Sequence, residues 1–307
     1  MSIVYIIIGA VLVLWGADRL TDGATALAQR LHIPQIVIGL TIVAMGTSMP
    51  EFFVSLMSAL KGTSDLAVGN IIGSNVFNTL AIVGITALVA PMTISRSTVQ
   101  KDMPFAIVAS LLLLLMCLDL EISRWEAAVL FLGFIFFMVY TVRIGMKNGD
   151  EKVLQMQPMP TWKMIGLLLL GTACLIGGSD IFVIGAKDMA KALGVSDAII
   201  GLTIVACGTS LPELATSIVA ARKGRSAIAI GNVIGSNVFN ILMIIGATGI
   251  ILPMNILGLT IVDYSVMMGG IVLLWLFSYT KFTVERWEGA ILTLGFIAYM
   301  TWLVIRA

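Results

Sequence analysis

Apolar residues run almost without interruption along the chain, broken at intervals by short groups containing Pro, Gly and charge. A membrane-spanning helix needs about 20 predominantly apolar residues. Measured against that length, the pattern predicts ten spans: roughly 3–29, 34–60, 65–90, 99–118, 124–145, 162–191, 196–221, 227–252, 261–280 and 286–305. The joins are polar, as at His32-Ile33-Pro34, Lys61-Gly62, Pro91 and Asp119-Leu120-Glu121. The longest polar stretch, 146–161, is too short for a folded domain.

The pattern is written twice. Residues 39–59, GLTIVAMGTSMPEFFVSLMSA, share 13 of 21 positions with 201–221, GLTIVACGTSLPELATSIVAA. Residues 69–84, GNIIGSNVFNTLAIVG, share 12 of 16 with 231–246, GNVIGSNVFNILMIIG. Both matches lie at an offset of 162, as do Asp18 with Asp180, Pro91 with Pro253, and the Arg-Trp-Glu triplets at 124–126 and 286–288. The domains expected are a first half, 1–145, a linker, 146–161, and a second half, 162–307. Five spans per half is an odd number, so the second half enters the membrane upside down. This is the inverted-repeat plan of secondary transporters. The expected fold class is therefore an all-α membrane protein of ten transmembrane helices in two inverted five-helix repeats.

Composition excludes the alternatives. The chain has 307 residues, 59% hydrophobic and 11% charged, whereas a soluble domain carries about 25% charged residues. A net charge of +1 leaves no basic field for nucleic acid. Three unpaired cysteines and one histidine, His32, argue against a disulfide framework or a zinc site. Neither HExxH nor G-x-S-x-G is present, so hydrolytic chemistry is not expected. Lys and Arg gather at one set of loops and helix ends, twelve against five if the N-terminus lies outside. By the positive-inside rule both termini are expected outside the cell membrane and the linker in the cytoplasm.

Two apolar segments are interrupted alike, by Gly46-Thr47-Ser48-Met49-Pro50-Glu51 and Gly208-Thr209-Ser210-Leu211-Pro212-Glu213. Proline lacks the N–H and clashes with the preceding turn. The second and seventh spans are therefore expected to break at mid-membrane, freeing carbonyls near Ala44 and Ala206. Broken helices are tolerated where they line a cavity, and their carbonyl ends coordinate cations. Glu51 and Glu213 lie in the same motifs. A charge at mid-bilayer costs roughly 2.5–3.5 kcal/mol on insertion scales, so a cation or a proton must compensate it. Thr47, Ser48, Thr209 and Ser210 add hydroxyls within a turn. Ser74 with Asn78, and Ser236 with Asn240, are spaced i,i+4 on one helical face of the next span. All these candidate ligands are oxygens, which suits a hard cation; calcium takes 6–8.

Simpler roles exist for the same residues. Ser48 with Glu51, and Ser210 with Glu213, match a capping box. Ser74, Asn78 and their repeats could be interhelical hydrogen-bond glue. Asn70, Asn75, Asn232 and Asn237 read as structural. Asp18, Arg19, Asp22 and Asp180 read as water-facing, locally paired or capping. The Arg-Trp-Glu triplets read as interfacial anchors.

The GTSMPE and GTSLPE segments, with GNIIGSNVFN and GNVIGSNVFN, resemble the two alpha-repeats of the sodium/calcium exchanger family, within the cation/calcium exchanger superfamily. The resemblance covers the whole chain. It implies a ten-helix exchanger in which Thr47, Ser48, Glu51, Ser74 and Asn78 fall on ligands of the first repeat. Thr209, Ser210, Glu213, Ser236 and Asn240 fall on those of the second. It further implies that the Ala44 and Ala206 carbonyls serve sodium, and that three sodium ions exchange for one calcium. Several family members, notably the potassium-dependent ones, carry Asp where this chain has Asn78 or Asn240. Two formal negative charges then remain, which match one divalent ion and make potassium co-transport less expected. The expected activity is sodium/calcium antiport, electrogenic and without a cofactor, the transported ions being Ca2+ and Na+. The partners are those ions and the lipid bilayer; the oligomeric state is not legible. A calcium/proton antiporter is the alternative, because two buried glutamates can also carry protons.

Overall fold

A computed structural model describes residues 1–147, 159–193, 206–256 and 258–306. Its elements follow the apolar runs closely. The first is α1 (Ser2–Leu31). A bent pair comes next, α2 (Gln35–Thr47) and α3 (Met49–Leu60), followed by α4 (Ser64–Val89) and α5 (Thr98–Met116). Helix α6 (Arg124–Lys147) closes the first half. The second half contains α7 (Thr161–Ala192), the short α8 (Ala206–Thr209), α9 (Leu211–Arg222), α10 (Ser226–Ile251), α11 (Ile261–Lys281) and α12 (Arg286–Arg306). Among the described residues, eight helices are long and apolar enough to span a membrane, or nine if α2 and α3 form one bent span. The chain is thus a multi-span membrane protein. The start of the expected span 196–221 lies outside the described residues.

The breaks fall where proline predicts them. Helices α2 and α3 meet at Ser48 with a bend of 48°. In the second half Ser210 separates α8 from α9, and Pro212 sits in the first turn of α9. Helices α3 and α9 both end at a left-handed glycine, Gly62 (φ 76°) and Gly224 (φ 71°). That conformation lets the next N–H reach back to close the helix end, Thr63 to Ser58 at 2.9 Å and Arg225 to Ala220 at 2.8 Å.

Helices α4 and α10 form the centre. In their most apolar stretches 83% and 94% of residues are buried, against 22–39% in α1, α5, α6, α7, α11 and α12. The peripheral helices present Leu, Ile, Val and Phe outward, as lipid contact requires. Small residues let backbones meet in the interior. Gly39 of α2 lies against Gly231 of α10, so closely that a side chain on Gly39 would come within 3.0 Å of the Ile228 carbonyl.

Two features escaped the periodicity. The first is a pair of two-residue β-clasps joining the halves. Strand β1 (Met92–Thr93) pairs with β4 (Thr283–Val284), and β2 (Glu121–Ile122) pairs with β3 (Met254–Asn255), both antiparallel. They are shorter than any strand signal that alternation can give. The second is an ion-pair cluster. Lys223 binds Asp18 at 2.6 Å and Asp22 at 2.9 Å, and Arg225 binds Asp22 at 2.7 Å. Asp22, read as water-facing or locally paired, instead holds α1 to the α9–α10 turn; Asp18 shares that contact and also pairs locally with Arg19 at 3.8 Å. Asp180 is exposed, so the repeat does not extend to this contact. Asp22→Asn is expected to lower stability by about 1–2 kcal/mol, between the limits for surface and buried pairs. Thermal unfolding in detergent checks this; an unchanged melting temperature contradicts it.

Candidate ion site

The two broken helices place their motifs face to face against α4 and α10. Glu51 lies in the first turn of α3 and Glu213 in the first turn of α9, each 1% exposed. The serine before each helix does not cap it; neither Ser48 nor Ser210 makes a side-chain capping bond. Each hydroxyl crosses to the other half instead. Ser48 donates to Glu213 Oε1 at 2.8 Å, and Ser210 donates to Glu51 Oε1 at 2.7 Å. The two carboxylates therefore share one buried polar centre. Ser210 Oγ also lies 3.3 Å from Ser74 Oγ of α4. Thr209 lies beside Glu51, while Thr47 and Ser236 lie beside Glu213.

Several oxygens in this centre have no hydrogen-bond partner. They are Glu51 Oε2, Glu213 Oε2, Asn78 Oδ1, Asn240 Oδ1 and Ser236 Oγ. All five belong to fully buried residues. Buried acceptors are normally satisfied, so this set fits a ligand that offers positive charge. A cluster of three or more His, Cys, Asp or Glu side chains is absent among the described residues. The chemistry is that of mixed carboxylate, carboxamide and hydroxyl oxygens, which hard cations take.

Asn78 and Asn240 sit where α4 and α10 widen locally to π-helical turns, at 77–82 and 239–245. Such turns shift the register of a helix face and recur at functional sites. Periodicity cannot foresee them, because the spacing that reveals a helix assumes 3.6 residues per turn throughout. The other asparagines bond to protein. Asn70 donates to the Glu51 carbonyl and to Ser55, and Asn232 to the Glu213 carbonyl and to Ser217, at 3.0–3.3 Å. Thr47 donates to Asn232 Oδ1 at 3.0 Å.

The expectation of a freed carbonyl at Ala44 is not met. Its oxygen accepts the Ser48 N–H at 3.0 Å and lies 3.3 Å from the Thr47 hydroxyl. The donor missing at Pro50 is the one that would reach Gly46. Ala206 opens the short α8, directly after the residues outside the described set.

Comparison with known proteins places the chain in a family. The family model described as sodium/calcium exchanger protein matches residues 1–143 and 163–305. CaxA of Alkalimonas amylolytica is 40% identical over 311 residues, covering 97% of each chain. The sodium/calcium exchanger MaX1 of Methanosarcina acetivorans is 30% identical over 341 residues, covering 98% of this chain and 97% of its own. The sodium-calcium exchanger NCX_Mj, solved after soaking with 2.5 mM Na+ and 0.1 mM Ca2+, superposes with a TM-score of 0.86 at 28% identity, covering 98% and 97% of the two chains. The chain belongs to the sodium/calcium exchanger family. It is a transporter, not an enzyme.

Proposed function

We propose that this protein is a sodium/calcium antiporter that binds calcium between Glu51 and Glu213. The observation that carries the reading is the set of five unpartnered buried oxygens around two carboxylates, each held by a serine from the opposite half. Two carboxylates match the charge of one calcium ion. Thr47, Ser48, Ser74 and Asn78, with Thr209, Ser210, Ser236 and Asn240, supply the neutral oxygens. Sodium ions compete for overlapping oxygens, with the Ala44 and Ala206 carbonyls contributing through their remaining lone pairs, so the two substrates exclude each other. Membership of the exchanger family and the naming of MaX1 and NCX_Mj as sodium/calcium exchangers support sodium as the coupling ion.

The architecture proposed with this function is ten spans in two inverted halves, 1–145 and 162–307. The linker 146–161 is cytoplasmic and both termini face outside. The constant offset of 162 between α3 and α9, and between α4 and α10, supports it. Pseudo-symmetric gates then open to opposite sides in turn. With three sodium ions per calcium, one net charge crosses per cycle, and 100 mV contributes about 2.3 kcal/mol.

Calcium uptake into proteoliposomes under separate sodium, potassium and proton gradients tests the coupling. Uptake is expected under the sodium gradient alone and to respond to membrane potential. Uptake driven by the proton gradient without sodium would overturn sodium coupling and establish calcium/proton exchange.

A further inference from the structure

Asn78 and Asn240 are carboxamides, and a carboxamide has one end that ligates a cation and one that repels it. Both side chains are 1% exposed, so water cannot decide their orientation. We propose that Asn75 and Asn237 are positioning residues that set which end of Asn240 and Asn78 faces the ion. The proposal rests on the antiporter reading above and adds residues that no ligand role requires.

The hydrogen bonds run crosswise between the halves. Asn75 of α4 donates from Nδ2 to the backbone carbonyl of Asn237 at 3.4 Å. A carbonyl can only accept, so this bond has one sense. It leaves Asn75 Oδ1 as the acceptor that meets Asn240 Nδ2 at 3.0 Å. Asn240 must then present Oδ1 as its free end, and that oxygen has no protein partner. Across the centre the arrangement is reciprocal. Asn237 Oδ1 accepts from Asn78 Nδ2 at 3.1 Å, which leaves Asn78 Oδ1 free.

The two locks differ at their outer end. Asn237 Nδ2 donates to the Thr79 hydroxyl at 2.8 Å. A hydroxyl can donate or accept, so this anchor tolerates either sense. The position equivalent to Thr79 in the second half is Ile241, which has no hydroxyl. There the backbone carbonyl serves instead. Asn240 is therefore held strictly and Asn78 less so. Either carboxamide, if turned over, would aim an amino group at the cation.

A carboxylate has two equivalent oxygens and needs no such lock, which provides the test. Sodium-driven calcium uptake is measured in proteoliposomes for Asn75→Leu, alone and combined with Asn240→Asp or Asn78→Asp. Asn75→Leu is expected to raise the calcium KM at least about tenfold, the scale of losing one ligand bond to a charged group, with a smaller change in kcat. Adding Asn240→Asp restores the KM. Adding Asn78→Asp brings the same charge to the wrong partner and does not. Equal recovery in both double variants, or an unchanged KM in Asn75→Leu, overturns the proposal. If Asn75→Leu is not recovered folded, Asn75→Ala removes the same acceptor without added bulk and carries the same expectations. Asn240→Leu separates the two levels. If it too leaves calcium KM unchanged, the ion-site reading fails; if it alone disables uptake, only the positioning role fails.

Discussion

Glu51→Gln and Glu213→Gln are each expected to abolish the proposed sodium-driven calcium uptake. Glutamine keeps the shape of the side chain and an oxygen that can accept from the facing serine, Ser210 or Ser48. It removes one of two negative charges. A divalent ion in that centre would then be only half neutralised, with both carboxyl positions 1% exposed. Breaking a buried ion pair by removing one partner costs about 3–5 kcal/mol. Calcium affinity is expected to fall at least about a hundredfold. Because the serine bonds are reciprocal, the two variants should behave alike. Calorimetric titration and vesicle flux measure both quantities. Full calcium flux in either variant would remove that carboxylate from the site.

Gly9→Val is expected to destabilise the protein most among variants outside the site. Helices α1 and α7 meet at glycines along their length. A Cβ on Gly9 would lie 2.5 Å from the Phe182 nitrogen and 2.7 Å from the Gly178 carbonyl oxygen. These are backbone atoms, so no rotamer change relieves the contact and the helices must part. Overpacking costs typically 1–3 kcal/mol and sometimes more. In a bilayer the penalty falls on close packing, which is itself a main source of helix association. Gly166→Ala on α7 is the control, since a Cβ there meets nothing within 4 Å. A large drop in melting temperature is expected for Gly9→Val and almost none for Gly166→Ala. Equal stability of the two would contradict this account of the interface.

Apart from the seventh, whose start lies outside the described residues, the expected membrane spans were legible in the sequence to within a few residues. The expected 65–90 is observed as Ser64–Val89, and 286–305 as Arg286–Arg306. Span length follows from bilayer thickness and helical rise, and both are local constraints. The breaks at Ser48 and Ser210 were legible for a similar reason: proline acts on its own turn. The identity of the candidate oxygens was legible because the motif is written twice in a chain otherwise poor in charge.

Their partners were not. Ser48 and Glu51 match a capping box by spacing, yet Ser48 bonds Glu213, 165 positions away. Asn75 was read as structural, and nothing in its spacing indicated that its oxygen accepts from Asn240 of the other half. Asp22 was expected near water or a local partner and meets Lys223 and Arg225 instead. The Ala44 carbonyl was expected open and is hydrogen-bonded. The amino-acid sequence by itself determined the membrane class, the lengths of the helices, where they break and which oxygens are available. Those properties depend on apolar transfer and backbone sterics within a few residues. Only the tertiary structure decided which oxygens pair and which stay without a protein partner. That choice is made by hydrogen bonds between the two halves, and their geometry exists only once α4 and α10 have packed.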